Sequence, residues 1–230
     1  MCMSNNPYAT IKVIITGSTG MVGEGVLIEC LAHPYVGSVL VINRRPCGYS
    51  HRKLKEVIHE DFFNLTSIEQ ELTGYNACYF CLGVSSVGMK EPQYTRLTYD
   101  LTMHFAQTLC RLNSGMTFCY VSGASTDSSE KGKSMWARVK GKTENDLMKL
   151  PFDRVIAFRP GFLKATKGQY NTLSVYKWLG WIFPIGRAFY KKGFCTLREL
   201  GLAMIHTNFD GFDRKVLEGD EIIELASRDR

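Results

Sequence analysis

Two side chains that lie four residues apart, Trp136 and Lys140, place an aromatic ring and a cation where they could form a reactive site. In a helix, residues at this spacing project to the same face, so the indole and the ammonium would face one pocket. An ammonium can bind ligand hydroxyls, whereas an indole N–H donates a hydrogen bond but releases no proton near neutral pH. Ser122, which ends an apolar segment, is a third candidate. These three residues form the core of the predicted catalytic set.

A proton donor must then come from another group. Tyr94 completes the predicted catalytic set because it lies on the helix expected after the fourth strand, and Tyr99 or a water molecule is the alternative. Tyrosines on such a helix commonly pack with only the hydroxyl at the rim, which is the competing interpretation. Ser125 and Thr126 lie near enough in sequence to share or replace the role of Ser122.

A glycine-rich turn follows the first apolar strand and precedes an apolar helix. In this context Gly17 permits a tight turn, Gly20 lets the backbone approach a pyrophosphate, and Gly23 lets the helix pack closely on the strand. Backbone N–H groups and the positive helix end would hold the phosphates. The residues predicted to bind a dinucleotide here are Gly17, Ser18, Thr19, Gly20, Met21, Val22 and Gly23.

The second strand ends in Asn43, Arg44 and Arg45, where an NAD-selective site would carry an acidic residue. A guanidinium can pair with a 2′-phosphate through two hydrogen bonds, so Arg44 and Arg45 favour NADP over NAD. A solvated basic turn is the alternative. By position, Asp61 and Phe62 would flank the adenine and Gly83 would border the cofactor channel.

Short apolar runs alternate with helical patterns, which predicts an α/β fold with a Rossmann-type, doubly wound parallel sheet. The expected strands are Ile11–Ile15, Ser38–Asn43, Lys55–His59, Ala77–Leu82, Met116–Ser122 and Arg154–Arg159. The expected helices are Met21–Leu31, Gln93–Leu112, Ser134–Leu150 and Leu197–His206, with capping boxes at Thr66–Glu69 and Thr196–Glu199. We expect one domain over residues 1–230, in which about 160–230 form a small α-rich extension on the substrate side.

The chain resembles an atypical short-chain dehydrogenase/reductase in four places. These are the turn Gly17–Gly23, the strand end at Ser122, the helix motif that ends in Lys140, and Arg159-Pro160-Gly161. The resemblance is greatest to NAD-dependent epimerase/dehydratase-like and Tat-interacting-protein-30-like proteins, from about Ile11 to Leu163. It implies a Ser-Tyr-Lys triad in which Ser orients the carbonyl, Tyr transfers the proton and Lys binds the ribose. Ser122 and Lys140 match two of these positions, and Trp136 stands at the tyrosine position.

Three interpretations follow from the missing phenol. Another group supplies the proton in an oxidoreductase acting on a small carbonyl or alcohol, or the chain binds NADP without turnover as a sensor or scaffold. In the third, the motif is shifted and Trp136 is a core aromatic residue. A sugar-nucleotide epimerase or dehydratase is a further alternative, which the short C-terminal part disfavours.

Composition limits the partners and the compartment. The excess of 28 Lys and Arg over 22 Asp and Glu gives a net charge of +6 without a long basic run, which suits anionic small molecules and disfavours nucleic acid. The eight cysteines follow no disulfide framework, and the pair Cys78 and Cys81 lacks the partners of a zinc site, so no metal is expected. We expect a cytoplasmic protein, with a homodimer as an open alternative.

The segment Leu173–Pro184 is the most apolar stretch after the predicted sheet. It could form a lid over the substrate, a face for a second subunit or a shallow contact with an anionic membrane, in which Lys177, Arg187, Lys191 and Lys192 would take part. An ordinary core helix is the alternative.

Overall fold

A parallel sheet of seven strands forms the centre of the fold in the computed structural model, which describes residues 10–166, 168–172, 182–209 and 213–228. The strands are β1 (Ile11–Thr16), β2 (Val36–Asn43), β3 (Leu54–Ile58), β4 (Ala77–Phe80), β5 (Thr117–Val121), β6 (Arg154–Arg159) and β9 (Val216–Glu218). Their order in the sheet is β3-β2-β1-β4-β5-β6-β9. The order reverses direction between β1 and β4, which is where doubly wound sheets bind ligands at the carboxyl ends of their strands.

Helices cover both faces of this sheet, as in a Rossmann-type fold with a helical C-terminal part. They are α1 (Met21–Ala32), α2 (Glu91–Thr95), α3 (Leu101–Leu112), α4 (Met135–Leu147), α5 (Ile182–Phe189), α6 (Leu197–His206) and α7 (Gly219–Ala226). One core cluster joins the sheet to α1, α6 and α7, and the other joins it to α3 and α4. The predicted α/β architecture is therefore confirmed.

The central strands are apolar because both of their faces are covered. In β1, Val13 and Ile15 enter the core under α1 and α6, whereas Ile14 enters the core on the opposite face, and all three are fully buried. This alternation follows from the two-residue period of a strand. It accounts for the near-continuous apolar runs by which the strands were predicted.

All six predicted strands are present, with bounds that differ by a few residues. The seventh strand, β9, was not predicted, nor was a separate two-stranded parallel sheet made by β7 (Phe162–Lys164) and β8 (Phe194–Thr196). These strands are three residues long, so they carry too little periodicity to be read from sequence. The predicted helix Gln93–Leu112 begins at Glu91 and contains a π-helical turn at Arg96–Asp100 between α2 and α3.

One predicted capping box forms and the other does not. Thr196 accepts from the backbone of Glu199, whose side chain accepts in return from the backbone of Thr196 at the start of α6. The prediction at Thr66–Glu69 is wrong, because Thr66 belongs to a single 3₁₀ turn without a side-chain cap. The Glu69 carboxylate pairs instead with Arg111 on α3. A distant guanidinium therefore replaces the local interaction that the motif suggested.

The apolar segment Leu173–Pro184 lies mostly outside the described residues, which resume at residue 182. Two of the basic residues predicted to surround it already have acidic partners within the described part. Arg187 forms two hydrogen bonds with the carboxylate of Glu199, and Lys192 pairs with Glu218. No helix among the residues described has the length and apolar character needed to cross a bilayer.

The glycine-rich turn holds the amino end of α1 close to β1. Gly17 adopts a positive φ of 73°, and a Cβ placed on Gly23 would lie 2.3 Å from the carbonyl oxygen of Gly17. The carbonyl group that this Cβ would meet belongs to the main chain. It therefore cannot move aside unless the helix shifts away from the strand. The sequence interpretation of these two glycines therefore agrees with the observed packing.

Replacing Gly23 by Ala is expected to lower the free energy of unfolding by about 2 kcal/mol, the usual cost of overpacking at a site that cannot relax. Urea denaturation followed by circular dichroism measures this loss. Gly83→Ala is the matched control, because a Cβ there meets no described atom within 4 Å, and its effect should stay within about 0.5 kcal/mol. Equal denaturation midpoints for the two variants would contradict the close-packing argument.

Candidate functional site

A cavity of about 400 Å³ opens at the carboxyl ends of the central strands. It begins at the glycine turn and extends past the ends of β4 and β5 to the main chain that follows β6. Its lining residues are Gly20, Met21, Val22, Cys81, Leu82, Gly83, Val84, Val121, Ser122, Gly123, Lys140, Pro160, Gly161 and Leu163. A second cavity of about 360 Å³, lined by Phe152, Arg154 and Lys215 among others, lies at the amino end of β6. The first is at the edge where doubly wound sheets bind their ligands.

The turn residues predicted to hold a dinucleotide use their main chain for this purpose. Ser18 is fully buried, and its hydroxyl donates to Oδ1 of Asn43 at 2.9 Å, so its side chain tightens the turn against β2. Gly20 donates from its backbone nitrogen to the carbonyl of Gly17 at 2.9 Å. Thr19 lies between them, and Met21 and Val22 begin α1 at the cavity wall. The turn has the tight form and the free helix end that a pyrophosphate requires.

Asn43 occupies the position where an acidic residue would mark an NAD site, and its side chain is turned inward. It is 3% exposed, accepts from Ser18 and donates through Nδ2 to Oε1 of Glu56 at 2.8 Å. Both polar atoms of the Asn43 side chain therefore bind groups within the protein. Arg44 and Arg45 follow it on the surface, and neither forms an ion pair with any residue that the structure describes. Two exposed guanidinium groups therefore follow directly after Asn43, which is bound to the glycine turn.

The adenine-side residues lie at the end of β3 and in the following loop. Asp61 is exposed, and its carboxylate accepts from the backbone of Phe63 at 2.9 Å. The Phe62 ring is 5% exposed and stacks on Phe105 with centroids 6.0 Å apart. Phe62 is thus a core residue whose ring packs inside the protein, so its ring does not offer the face that was expected to flank the adenine. Gly83 lines the cavity, and its place beside a cofactor stays a prediction.

Ser122 faces α4 and binds a buried carboxylate. Its hydroxyl donates to Oε1 of Glu144 at 2.5 Å and lies 3.1 Å from the carbonyl oxygen of Phe158. Glu144 is 1% exposed and pairs with the guanidinium of Arg159. Ser122 therefore contributes main chain and Cβ to the cavity wall, while its hydroxyl serves an internal network. The neighbouring Gly123 also lines the cavity, and a Cβ there would meet no described atom within 4 Å.

Lys140 enters the cavity from α4, one helical turn before Glu144. Its ammonium donates to the carbonyl oxygen of Ser122, which fixes the side chain at the end of β5. Burial lowers the pKa of Lys140 to about 8, although the negative charge of Glu144 acts in the opposite direction. A buried ammonium with a lowered pKa beside a ligand cavity is a feature of functional sites.

The aromatic candidates occupy different places. Trp136 lies one turn before Lys140 on α4 and is half-buried, but it is not among the residues that line the cavity. Tyr94 is 2% exposed and also does not line it, and burial raises the pKa of its phenol. Tyr99 donates to Oδ2 of Asp146 at 2.7 Å. Neither tyrosine is in the cavity wall, so a role for Tyr94 in proton transfer requires a rearrangement of its helix.

Sequence reasoning missed Glu144, Arg159 in its pairing role, and the cavity thiol of Cys81. A signal for Glu144 was present, since it follows Lys140 by four residues and must share its helix face.

Cys78 and Cys81 are free, as are the other described cysteines. Burial raises the pKa values of both thiols well above that of an ordinary cysteine, so they remain protonated. Among the described residues, no group of His, Cys, Asp and Glu is arranged to hold a metal ion.

Replacing Arg159 by Leu should destabilise the fold by about 3 kcal/mol, because it leaves the Glu144 charge buried without its partner. The free energy of unfolding from urea titrations measures the effect. Arg111→Leu is the control: Arg111 pairs with Glu69 but is 58% exposed, and exposed pairs contribute about 0–1 kcal/mol. A loss at Arg159 no greater than that at Arg111 would show that the buried network is not a stabilising centre.

Comparison with known proteins gives both relatives and structural neighbours. No family model matches the chain. Protein fmp52, mitochondrial, of Emericella nidulans is 30% identical over 165 residues, which cover 69% of each protein. Protein fmp52-1, mitochondrial, of Aspergillus terreus is 28% identical over 70% of this chain and 71% of its own length. Protein HTATIP2 of Rattus norvegicus is 28% identical over 66% of this chain, and the match spans only 62% of that relative.

Solved structures resemble the chain in fold. MoeE5 in complex with UDP-glucose and NAD superposes with a TM-score of 0.64 and 15% identity, covering 94% of this chain and 81% of MoeE5. The ADP-L-glycero-D-manno-heptose-6-epimerase of Helicobacter pylori gives 0.66 and 14%, covering 98% and 84%. At such identities the likeness concerns the fold alone.

The comparison overturns one expectation drawn from composition. The fmp52 relatives are named mitochondrial, so the prediction of a cytoplasmic protein is wrong. That prediction rested on the eight cysteines, which follow no disulfide framework. Reduced cysteines mark a reducing environment, which is not confined to one compartment.

The glycine turn, the cavity that ends at Lys140 and the relationship to fmp52 over 69% of both proteins lead to one conclusion. The chain belongs to the family of NAD(P)-binding atypical short-chain dehydrogenase/reductases that includes fmp52 and HTATIP2.

Proposed function

We propose that this protein is an NADP(H)-dependent oxidoreductase that acts on a small carbonyl compound or the corresponding alcohol. The observation that carries the proposal is the continuous cavity that joins the glycine turn to the ammonium of Lys140. A dinucleotide held at the turn would extend along the carboxyl ends of the strands toward that ammonium. NADPH supplies the reducing equivalent when it is bound, and the protein supplies binding, orientation and the proton.

The preference for the 2′-phosphorylated coenzyme rests on charge. Arg44 and Arg45 are exposed and have no carboxylate partner among the described residues, so they are free to pair with a phosphate. The nearby Glu56 carboxylate already accepts from Asn43 at 2.8 Å and from the Cys47 backbone at 2.9 Å through one oxygen. Glu56 therefore already has two neutral donors, and it forms no ion pair with Arg44 or Arg45.

Lys140 is the proposed proton donor. It is the one cationic side chain among the described residues that line the cavity, and its pKa of about 8 keeps it largely protonated at neutral pH. A general acid works best when its pKa lies near the working pH. In the reducing direction, the ammonium transfers a proton to the carbonyl oxygen, which becomes the alcohol hydroxyl, and solvent returns a proton to the amine.

A small substrate fits the space. The cavity of about 400 Å³ would hold the nicotinamide end of the coenzyme beside a small substrate. Structural neighbours such as MoeE5 are described with UDP-glucose and NAD. The proposal for this chain keeps to the small carbonyl, because the phenol expected of an epimerase of this family pattern is replaced by Trp136.

A second candidate function is supported by a specific observation. The Ser122 hydroxyl is bound to Glu144, Gly123 presents no side chain, and Trp136 replaces the tyrosine of the family pattern. A sensor that binds NADP without turnover needs neither a free serine hydroxyl nor a tyrosine phenol. The two functions are separated by turnover, because both require coenzyme binding.

Replacing Arg44 and Arg45 together by Gln is expected to weaken NADPH binding by about tenfold or more, since each charge-assisted hydrogen bond contributes about 1.5–3 kcal/mol. NADH affinity should stay unchanged, because NADH lacks the 2′-phosphate. Isothermal titration calorimetry with coenzyme-free protein measures both dissociation constants. Arg52→Gln, in the same loop but nearer the start of β3, is the control. Parallel losses for NADPH and NADH would remove the proposed 2′-phosphate contact.

Raising the pH from 7 to 9.5 should weaken NADPH binding severalfold and slow carbonyl reduction, because Lys140 loses its proton around pH 8. The Lys140→Met variant should show a flat binding profile over this range and no reduction. A panel of small aldehydes and ketones, followed at the NADPH absorbance, measures the rates. Normal NADPH binding with no turnover of any compound by the wild type would exclude the oxidoreductase and leave the sensor.

Protein stability supplies a check that the Lys140→Met variant is folded. Lys140 has a pKa of about 8 in the folded protein against the ordinary 10.5, so the unfolded chain binds its proton more tightly. Burial of the charge therefore destabilises the fold below about pH 8, and this cost is relieved as the pH rises toward 10.5. Removal of the charge is expected to leave the variant at least as stable as the wild type at pH 7.

A further inference from the structure

A second buried carboxylate, Glu24, lies in the first turn of α1, immediately after the glycine turn. Its side chain is fully buried, and none of the ion pairs formed by the described residues includes it. Burial alone raises the pKa of a carboxyl group, but hydrogen bonds from Tyr49, Tyr170 and Asn171 outweigh it and lower the pKa of Glu24 below its ordinary value. The carboxylate is therefore charged at neutral pH and held by neutral donors.

Two separate parts of the chain supply these donors. The Tyr49 hydroxyl donates to Oε1 at 2.6 Å, from the loop that carries Arg44 and Arg45. The backbone nitrogen of Tyr170 donates to Oε1 and that of Asn171 to Oε2, both at 2.7 Å. Glu24 thus joins the arginine loop, residues 44–49, to the segment at 168–172 across the amino end of α1.

Tyr49 is fixed at both ends of its side chain. Its hydroxyl is bound to Glu24, and its ring packs on the ring of Tyr170 with centroids 5.5 Å apart. Burial, together with the Glu24 carboxylate, raises the pKa of the Tyr49 phenol far above its ordinary value, so the phenol remains a donor. This contact is the anchor of the arginine loop on the side of α1.

The other end of the arginine loop is held by Glu56, which accepts from the side chain of Asn43 and from the backbone of Cys47. Arg44 and Arg45 lie between Asn43 and Cys47, both of which bind Glu56, and Glu24 adds a second anchor at Tyr49, two residues after Cys47. Such anchoring reduces the entropy that the loop loses when its guanidinium groups bind a ligand.

We propose that Glu24 and Tyr49 are positioning residues for coenzyme selectivity: their hydrogen bond holds the arginine loop where Arg44 and Arg45 meet a 2′-phosphate. This inference rests on the proposed NADP(H) function and extends it. Neither residue touches the 2′-phosphate, so both act through the loop. Their contribution falls on NADPH and not on NADH, since the hydroxyl of NADH offers no charge for the arginines to bind.

The Tyr49→Phe variant tests this selectivity, because it removes only the hydroxyl and keeps the ring packed on Tyr170. We expect its dissociation constant for NADPH to rise three- to tenfold while that for NADH stays unchanged, with both measured by calorimetry. Tyr99→Phe is the matched control, since it also removes a phenol-to-carboxylate hydrogen bond, here to Asp146, away from the cavity. This control should retain the wild-type ratio of the two constants.

Each other outcome overturns the inference. An unchanged ratio in Tyr49→Phe shows that the loop needs no anchor at Glu24, and equal losses for both coenzymes show a general structural effect. Wild-type protein that binds neither coenzyme refutes the proposed function and this inference together. Wild-type protein that prefers NADPH, with the same preference in Tyr49→Phe, refutes the inference alone.

Hydrogen exchange provides a readout that needs no coenzyme. In Glu24→Gln, one carboxylate oxygen becomes an NH₂ group, so one of the two backbone donors, Tyr170 or Asn171, faces another donor and loses its hydrogen bond. Amide exchange of residues 169–172 should then be at least tenfold faster than in the wild type, whereas Glu29→Gln, farther along the same helix, should leave it unchanged. Equal protection in both variants would show that Glu24 does not hold this part of the protein.

Discussion

The buried carboxylate of Glu144 is the constraint on which the geometry of the site depends. It must be compensated because an isolated charge in the interior is very costly, and its partners come from two strands. The Arg159 guanidinium ends β6, and the Ser122 hydroxyl follows β5. Glu144 therefore fixes α4 against the carboxyl ends of both strands. Lys140 lies one turn earlier on that helix, so the same network directs its ammonium into the cavity.

This arrangement changes the expected chemistry of a short-chain dehydrogenase. The serine that would orient a substrate instead stabilises an internal ion pair, and tryptophan replaces the phenol that would transfer the proton. Lys140 keeps its place, and its burial brings its pKa into the range useful for acid catalysis. In the family pattern this lysine assists a tyrosine. Here Lys140 itself is the group in the described cavity wall that can donate a proton. The proposed reaction follows from that substitution.

Buried or half-buried carboxylates also position the loop after β2. They hold the loop in place, whereas the arginines of the loop are the residues proposed to bind the ligand. Glu56 accepts hydrogen bonds from Asn43 before the two arginines and from Cys47 after them, and Glu24 accepts a hydrogen bond from Tyr49 farther along the same loop. Their negative charges are directed inward and bound by neutral donors, while the two guanidinium groups remain solvated. In the proposed function, the cationic loop and Lys140 would bind a ligand with phosphates at one end and an electron-rich oxygen at the other.

The sequence alone determined the features that depend on local pattern: the strand, glycine turn and helix at Gly17–Gly23, the six long strands, and the capping box at Thr196. Each needs only neighbouring residues, so its signal survives without knowledge of the fold. The direction of the Ser122 hydroxyl, the burial of Tyr94 and the anchoring of Tyr49 were decided by tertiary structure. Their partners lie more than twenty residues away in sequence or on another element, and a side chain takes the partner that the folded chain brings within about 3 Å.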